Sequence, residues 1–255
     1  MDVRIVPSSE FGSASLQALL EAIAGIAAPV IGLPTGNTPV ALYVDLETAV
    51  RSGEVDISAW RPFAIDEYGG PRNHPCSNRA FFERYWDTIP GARAVEQFNP
   101  EAADLLGECA RMSAALAEAG GLDVSILGIG MNGHLAFNEP GSERNSTVRQ
   151  VELHHASRAS AHACWGEETP TWGLTLGLRE LLGARSVLVL ANGAAKSVIV
   201  ARALNDAQSP DWPASLVRTH TRATWVLDMA AASMLLGVQT SPSPARHESG
   251  EGVGG

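Results

Sequence analysis

The chain has 255 residues, 45% hydrophobic and 18% charged, long enough to bury a full core within one globular domain. Its formal net charge of -10 excludes a nucleic-acid partner held by general electrostatics, so an anionic ligand would need its own pocket of N–H groups and a cation. No apolar run reaches membrane-spanning length, and the first residues read as a strand rather than a signal peptide; the expectation is a cytoplasmic protein whose cysteines, Cys76, Cys109 and Cys164, are reduced thiols.

Residues 3–6 form the first predicted strand, and Ser13 is placed as the cap of a helix over 16–24. A fully apolar strand at 29–33 stops at Pro34-Thr-Gly-Asn-Thr-Pro39, and a helix follows over 39–52. Thr35, Gly36, Asn37 and Thr38 put hydroxyls and free backbone N–H groups at that helix N-terminus, where the dipole favours phosphate. An ordinary capped helix is the plainer reading, and no Walker lysine follows.

A third strand, 63–68, ends in Asp66 and Glu67, whose side chains point to opposite faces and so cannot share one task. Helices are predicted over 78–86 and 101–119, the second with Leu105, Leu106, Met112 and Leu116 on one face. The most informative stretch is Ser125-Ile-Leu-Gly-Ile-Gly-Met-Asn-Gly-His-Leu-Ala-Phe-Asn-Glu-Pro140. It reads as a buried strand that breaks at glycines and sets out Asn132, His134, Asn138 and Glu139, the layout expected where a parallel sheet meets its ligand.

The pattern weakens over 144–170, as in a mobile lid, with a short strand at 151–155 and a helix at 157–165. His154 and His155 read there as solvent-facing, and His220 as a helix C-terminal cap. A helix at 175–182 and a strand at 186–191 follow, then a helix from about 194 with Lys196 in its first turn, where a cation opposes the dipole but suits a phosphate. A helix opening at Pro213 and a strand at 223–228 complete one predicted domain, 1–238; 239–255 reads as a disordered tail. This alternation predicts an α/β fold, a mostly parallel sheet with helices on both faces.

Stretches spanning most of this chain resemble, in order, the glucosamine-6-phosphate deaminase family, related in fold to the 6-phosphogluconolactonases. They are Gly32-Leu-Pro-Thr-Gly-Asn-Thr-Pro39, Ile65-Asp-Glu-Tyr68, Gly128 through Pro140, Leu174-Thr-Leu-Gly177, Gly193-Ala-Ala-Lys196 and Pro213-Ala-Ser215. The resemblance implies a single modified Rossmann-like domain acting on a small sugar phosphate, without cofactor or metal. It makes Asp66 the base that moves a proton between C2 and C1, and gives ring opening to His134, held by Glu139 and oriented by Asn132. Thr35 to Thr38 and Lys196 would hold the 6-phosphate. Family members range from monomers to hexamers, so a homo-oligomer is compatible with the resemblance.

One departure concerns the helix where the family usually carries Arg-Phe-Phe, its arginine binding the phosphate. The corresponding residues here are Ala163-Cys-Trp165, with Arg158 and His162 nearby. Glu67, Arg158, His162, Ala163 and Trp165 are therefore candidate specificity or lid residues. The primary expectation is deamination of glucosamine 6-phosphate to fructose 6-phosphate and ammonia. The altered wall opens a second: proton abstraction from N-acetylglucosamine 6-phosphate followed by loss of the C3 hydroxyl as water, a dehydratase. A 6-phosphogluconolactonase would have no use for Glu139 in its role. A non-catalytic sugar-phosphate sensor would not need both Asp66 and the His134–Glu139 pair.

Overall fold

A computed structural model describes residues 1–237, so the predicted tail lies outside the described residues. In chain order, β1 (Asp2–Val6), α1 (Phe11–Ala22), β2 (Val30–Leu33), α2 (Val40–Arg51) and β3 (Arg61–Ala64) come first. Next are β4 (Asp66–Tyr68), α3 (Asn78–Tyr85), α4 (Leu105–Glu118), β5 (Val124–Gly128), β6 (Arg149–Glu152) and α5 (His155–Trp165). The chain continues through β7 (Trp172–Thr175), α6 (Leu178–Leu182), β8 (Ser186–Ala191), α7 (Ser197–Asn205), β9 (Ala223–Asp228) and α8 (Ser233–Gly237).

Six strands form a parallel sheet in the order β1-β9-β8-β5-β2-β3. The apolar run of β8 is that of a strand covered on both faces. Val187, Val189 and Ala191 pack into one core with Met112, Leu116 and Ile199, whereas Leu188 and Leu190 enter the other with Phe11, Leu19 and Tyr43. That alternation is the strand period of two expressed as two helical layers. Among the described residues no helix is long and apolar enough to cross a membrane.

The sequence expectations need correction in five places. The predicted strand 63–68 is two strands in two sheets. The Ile65 N–H still donates to Leu33 O (3.3 Å), continuing the β2 side, while its carbonyl accepts Leu176 N–H at 2.8 Å. From Asp66 onward the chain belongs to a small antiparallel sheet, β4-β7-β6. The predicted helix 175–182 is therefore partly strand: Trp172 to Thr175 is β7, too short to display a period, and only α6 is helical. Helix α1 begins at Phe11, so Ser13 lies inside it, its hydroxyl donating to Glu10 O. Asp104 caps α4, and Leu106 is 82% exposed, leaving Cys109, Met112 and Leu116 as the buried face.

The fifth correction is to the cysteines. Cys76 and Cys164 are bonded Sγ to Sγ, with Cα atoms 5.9 Å apart, and Cys109 is buried and unpaired. The partners lie 88 residues apart in sequence, and no local pattern announces a pairing made by folding α5 over the segment before α3.

Candidate active site

Because β2 and β5 are neighbours in the sheet, the loops leaving their carboxyl ends emerge side by side. Chain order changes direction at this pair, the position at which open α/β sheets bind ligands. A cleft of about 540 Å³ lies there, floored by these two loops and roofed by α5, α3 and the segment before α3.

Thr35, Gly36, Asn37 and Thr38 line one end. Gly36 holds φ +88°, a left-handed conformation open to glycine, which turns the backbone toward the cleft. Pro39 occupies the cap position of α2 and supplies no side-chain cap, so the first N–H groups of a twelve-residue helix are left to a ligand. Lys196, in a 3₁₀ turn leading into α7, lines the same cleft; its Nζ donates to Ile129 O at 2.7 Å, and burial lowers its pKa. Arg84 is the other cation lining the cleft among the described residues. It sits three residues after Phe81, whose ring meets Tyr43 of α2 edge-on, and the Tyr43 hydroxyl donates to Pro34 O.

The switch of sheets at Ile65 presents Asp66 to the cleft and Glu67 away from it. Asp66, 8% exposed, is the one carboxylate lining the cleft among the described residues. Burial, and after it the neighbouring Glu67 charge, push its pKa up to about 8 against a hydrogen bond from Asn78. Asn78 Nδ2 donates to Asp66 Oδ1 at 2.6 Å and to Asp66 O at 2.9 Å, while its own Oδ1 accepts the Thr35 hydroxyl at 2.9 Å. Glu67 receives the N–H groups of Tyr68, Asn78 and Arg79 at 2.8 to 3.0 Å and so anchors the start of α3. It is a structural carboxylate and not part of the cleft wall.

Opposite Asp66, the loop after β5 carries His134. Gly130 N–H donates to His134 O, and a Cβ at Gly130 would stand 2.2 to 2.4 Å from the His134 ring atoms, so glycine is required for the imidazole to lie against the backbone. His134 Nδ1 lies 3.3 Å from Glu139 Oε2 and 3.1 Å from the Ser157 hydroxyl of α5. Asn132 Nδ2 donates to Glu139 Oε2 at 2.8 Å, and its Oδ1 accepts His134 N–H at 3.3 Å. Burial would raise the Glu139 pKa, but the hydrogen bond and charge of His134, with Ser157 and Asn132, bring it down to about 2. Ala136 holds φ +51°, uncommon for a residue with a Cβ, inside the tight turn that pairs Leu135 with Asn138.

The predicted polar cluster therefore divides by task. Asn132 and His134 line the cleft, Glu139 stands behind them, and Asn138 is fully buried, donating to Leu135 O and Leu176 O and accepting from Arg149. Trp165 forms part of the wall with Cys164, whereas Arg158, His162 and Ala163 are exposed on the other side of α5. His162 Nδ1 meets the Thr169 hydroxyl at 3.0 Å. His154 corrects the solvent-facing expectation: it caps α5 through Ala156 N–H and lies 3.3 Å from Asn132 Nδ2, with its own N–H on Glu139. Sequence reasoning missed Asn78 and Ser157. Ser77 accepts Ala80 N–H as the cap of α3, a serine-before-helix signal for where that helix begins, but nothing local placed Asn78 beside Asp66 or Ser157 beside His134.

Residues 8–225 match the family model described as glucosamine-6-phosphate isomerases/6-phosphogluconolactonase. A glucosamine-6-phosphate deaminase of Beutenbergia cavernae is 36% identical over 247 residues, covering 92% of this chain and 93% of the relative. One from Mycolicibacterium smegmatis is 37% identical over 245 residues, with 92% and 93% covered. The solved structure of a monomeric glucosamine-6-phosphate deaminase superimposes with TM-score 0.88 at 28% identity, over 92% of this chain and 100% of the other. The 6-phosphogluconolactonase of Trypanosoma brucei, 24% identical with TM-score 0.72 over 92% and 98% of the two chains, shares the fold. The chain belongs to the glucosamine-6-phosphate isomerase/6-phosphogluconolactonase family.

Proposed function

We propose that this protein converts glucosamine 6-phosphate to fructose 6-phosphate and ammonia. The observation that carries the reading is one buried carboxylate, Asp66, facing a cleft that also holds a helix N-terminus with Lys196 at one end and His134 at the other. The phosphate sits on the N–H groups of the 35–38 loop and on Lys196. His134, held by Glu139, Asn132 and Ser157, moves a proton between the ring oxygen and the anomeric hydroxyl and opens the sugar. Asp66 then takes the C2 proton beside the C1 aldehyde and returns it to C1. The resulting C2 imine is hydrolysed by water, and ammonia leaves. A base whose pKa lies near 8 both accepts and returns a proton close to neutrality, where an exposed aspartate would be too weak. Phosphorylated sugars do not cross membranes unaided, which fits a cytoplasmic enzyme.

A second reading rests on Trp165. Its indole N–H is buried in the cleft wall without an acceptor among the described residues, and its ring meets Tyr68, which packs in turn on Phe137. An acetamido group brings a carbonyl acceptor and a methyl to such a wall. With N-acetylglucosamine 6-phosphate, the carbanion at C2 would expel the C3 hydroxyl as water, leaving a 2,3-unsaturated product. Incubation with each sugar separates the readings: ammonia and fructose 6-phosphate from the amino sugar establish deamination. Loss of one water from the N-acetyl sugar, without ammonia, replaces it with dehydration. Turnover of neither removes both.

A further inference from the structure

The Cys76–Cys164 bond crosses the roof of the cleft. Cys76 lies two residues before Asn78, the residue that holds Asp66; Cys164 lies on α5, the helix whose Ser157 touches His134. Both sulfur-bearing residues line the cleft. The same seam is closed without covalent help by Trp165, stacked on His74 with ring centroids 3.9 Å apart, and packed so tightly on Gly70 that a Cβ there would meet it at 2.9 Å. The roof is thus two pieces, the segment before α3 and the end of α5, joined at a line of noncovalent contacts and one breakable bond.

We propose that Cys76 and Cys164 form a reversible dithiol–disulfide site that latches this roof, so that the oxidised protein exchanges sugar phosphate slowly and the reduced protein exchanges it freely. The proposal rests on the proposed sugar-phosphate site, whose access it governs. Cys164 is exposed and Cys76 partly so, which gives a small thiol or disulfide a line of attack on sulfur. Oxidation by a small disulfide forms the Sγ–Sγ bond and breaks that of the oxidant. Two electrons and two thiol protons leave on two molecules of small thiol; a dithiol breaks the Sγ–Sγ bond again, returns both protons to the cysteines and leaves as its own cyclic disulfide. A reducing cytoplasm keeps the latch open, and oxidative conditions close it. Neither cysteine is among the groups assigned to the chemistry; the latch ties together the two roof pieces that carry Asn78 and Ser157, and so governs access to Asp66 and His134.

The test compares the full-length protein after reduced dithiothreitol and after oxidised glutathione, with the thiol state read by mass. The expected result is a kcat/KM for glucosamine 6-phosphate on the order of tenfold lower in the oxidised form, as for gated sites. The loss is recovered on reduction and absent in Cys76→Ser, whose rate is the same in both buffers. Hydrogen exchange of the α5 amides reads the latch without any substrate and should quicken on reduction in the wild type, but not respond to dithiothreitol in Cys76→Ser. Cysteines that stay reduced under oxidised glutathione overturn the proposal, as does α5 exchange indifferent to the bond, or equal kcat/KM in both states. Absence of turnover in both buffers removes the proposed reaction instead, and leaves the exchange experiment to decide the latch.

Discussion

The side-chain amide of Asn78 is shared between Asp66 and Thr35: its nitrogen donates to the Asp66 carboxylate at 2.6 Å and its oxygen accepts the Thr35 hydroxyl at 2.9 Å. The candidate base and the candidate phosphate loop are thereby held by the two ends of one planar group. The hydrogen bond also favours the ionised carboxylate against its burial. Replacing Asn78 by Ala should therefore raise the Asp66 pKa above about 8 and move the acid limb of kcat/KM to higher pH. A pH–rate profile checks this; a limb that stays put removes Asn78 from the control of Asp66.

Asp66→Asn should abolish turnover while sparing binding of the substrate. It should also stabilise the fold. The folded state holds the Asp66 proton up to about pH 8 and the unfolded chain only to about 3.8, so stability present below pH 4 is lost as the pH rises toward 8. Removing the charge removes that loss, and the variant should melt on the order of 5 °C higher than the wild type at pH 8, with little difference at pH 4. Calorimetry at both values decides; equal melting at pH 8 would mean that Asp66 ionises without cost.

Gly130→Ala should fold and lose activity. The added methyl would occupy the space of the His134 ring, and the flexible loop yields more cheaply than the sheet beneath it. Near-native circular dichroism with a kcat lowered by about a hundredfold is the expected pair of results. Retained activity would show that the imidazole works from another position.

Lys196→Ala should raise KM for the phosphorylated sugar by about tenfold to a hundredfold, the weight of one charge-assisted hydrogen bond. Competition by inorganic phosphate should weaken in parallel, whereas the slow reaction with unphosphorylated glucosamine should be unaffected. Arg84→Ala is the companion variant, and a smaller effect is expected from its exposed position at the cleft rim. An unchanged inhibition constant in Lys196→Ala would take that end of the cleft out of phosphate binding.

Reduction of the Cys76–Cys164 bond should lower thermal stability. For the 88-residue separation it spans, the chain-entropy model gives about 4–5 kcal/mol as an upper figure. The corresponding fall in Tm is on the order of 10 °C. Scanning calorimetry with and without reductant measures it, and identical melting would show that the unfolded chain gains nothing from its release.

The parallel sheet was legible because β2, β5, β8 and β9 are apolar runs of strand length closed by proline, glycine, asparagine or aspartate. The floor of the cleft was legible for the same reason, since Thr35 to Thr38 and Asn132 to Glu139 follow directly from such strands. The small sheet was not legible: β4, β6 and β7 have three or four residues each, and no period can be read in so few. Glu67 and Asp66 could be separated by face, yet nothing local said which one met the cleft; the crossing at Ile65 decides it. Asn78, Ser157, His154 and the cysteine pair act through partners far away in the chain, and such pairings leave no trace in spacing.

The crossing at Ile65 has a consequence for how such proteins diverge. Asp66 lies outside the large sheet that the two cores bury, on a strand bonded to Trp172 through Thr175, and those residues in turn to Arg149 through Glu152. Leu174 of this ribbon also packs in the large core, so only its partly exposed positions, Tyr68, Arg149 and Val151, leave room to adjust the base without unsettling the interior.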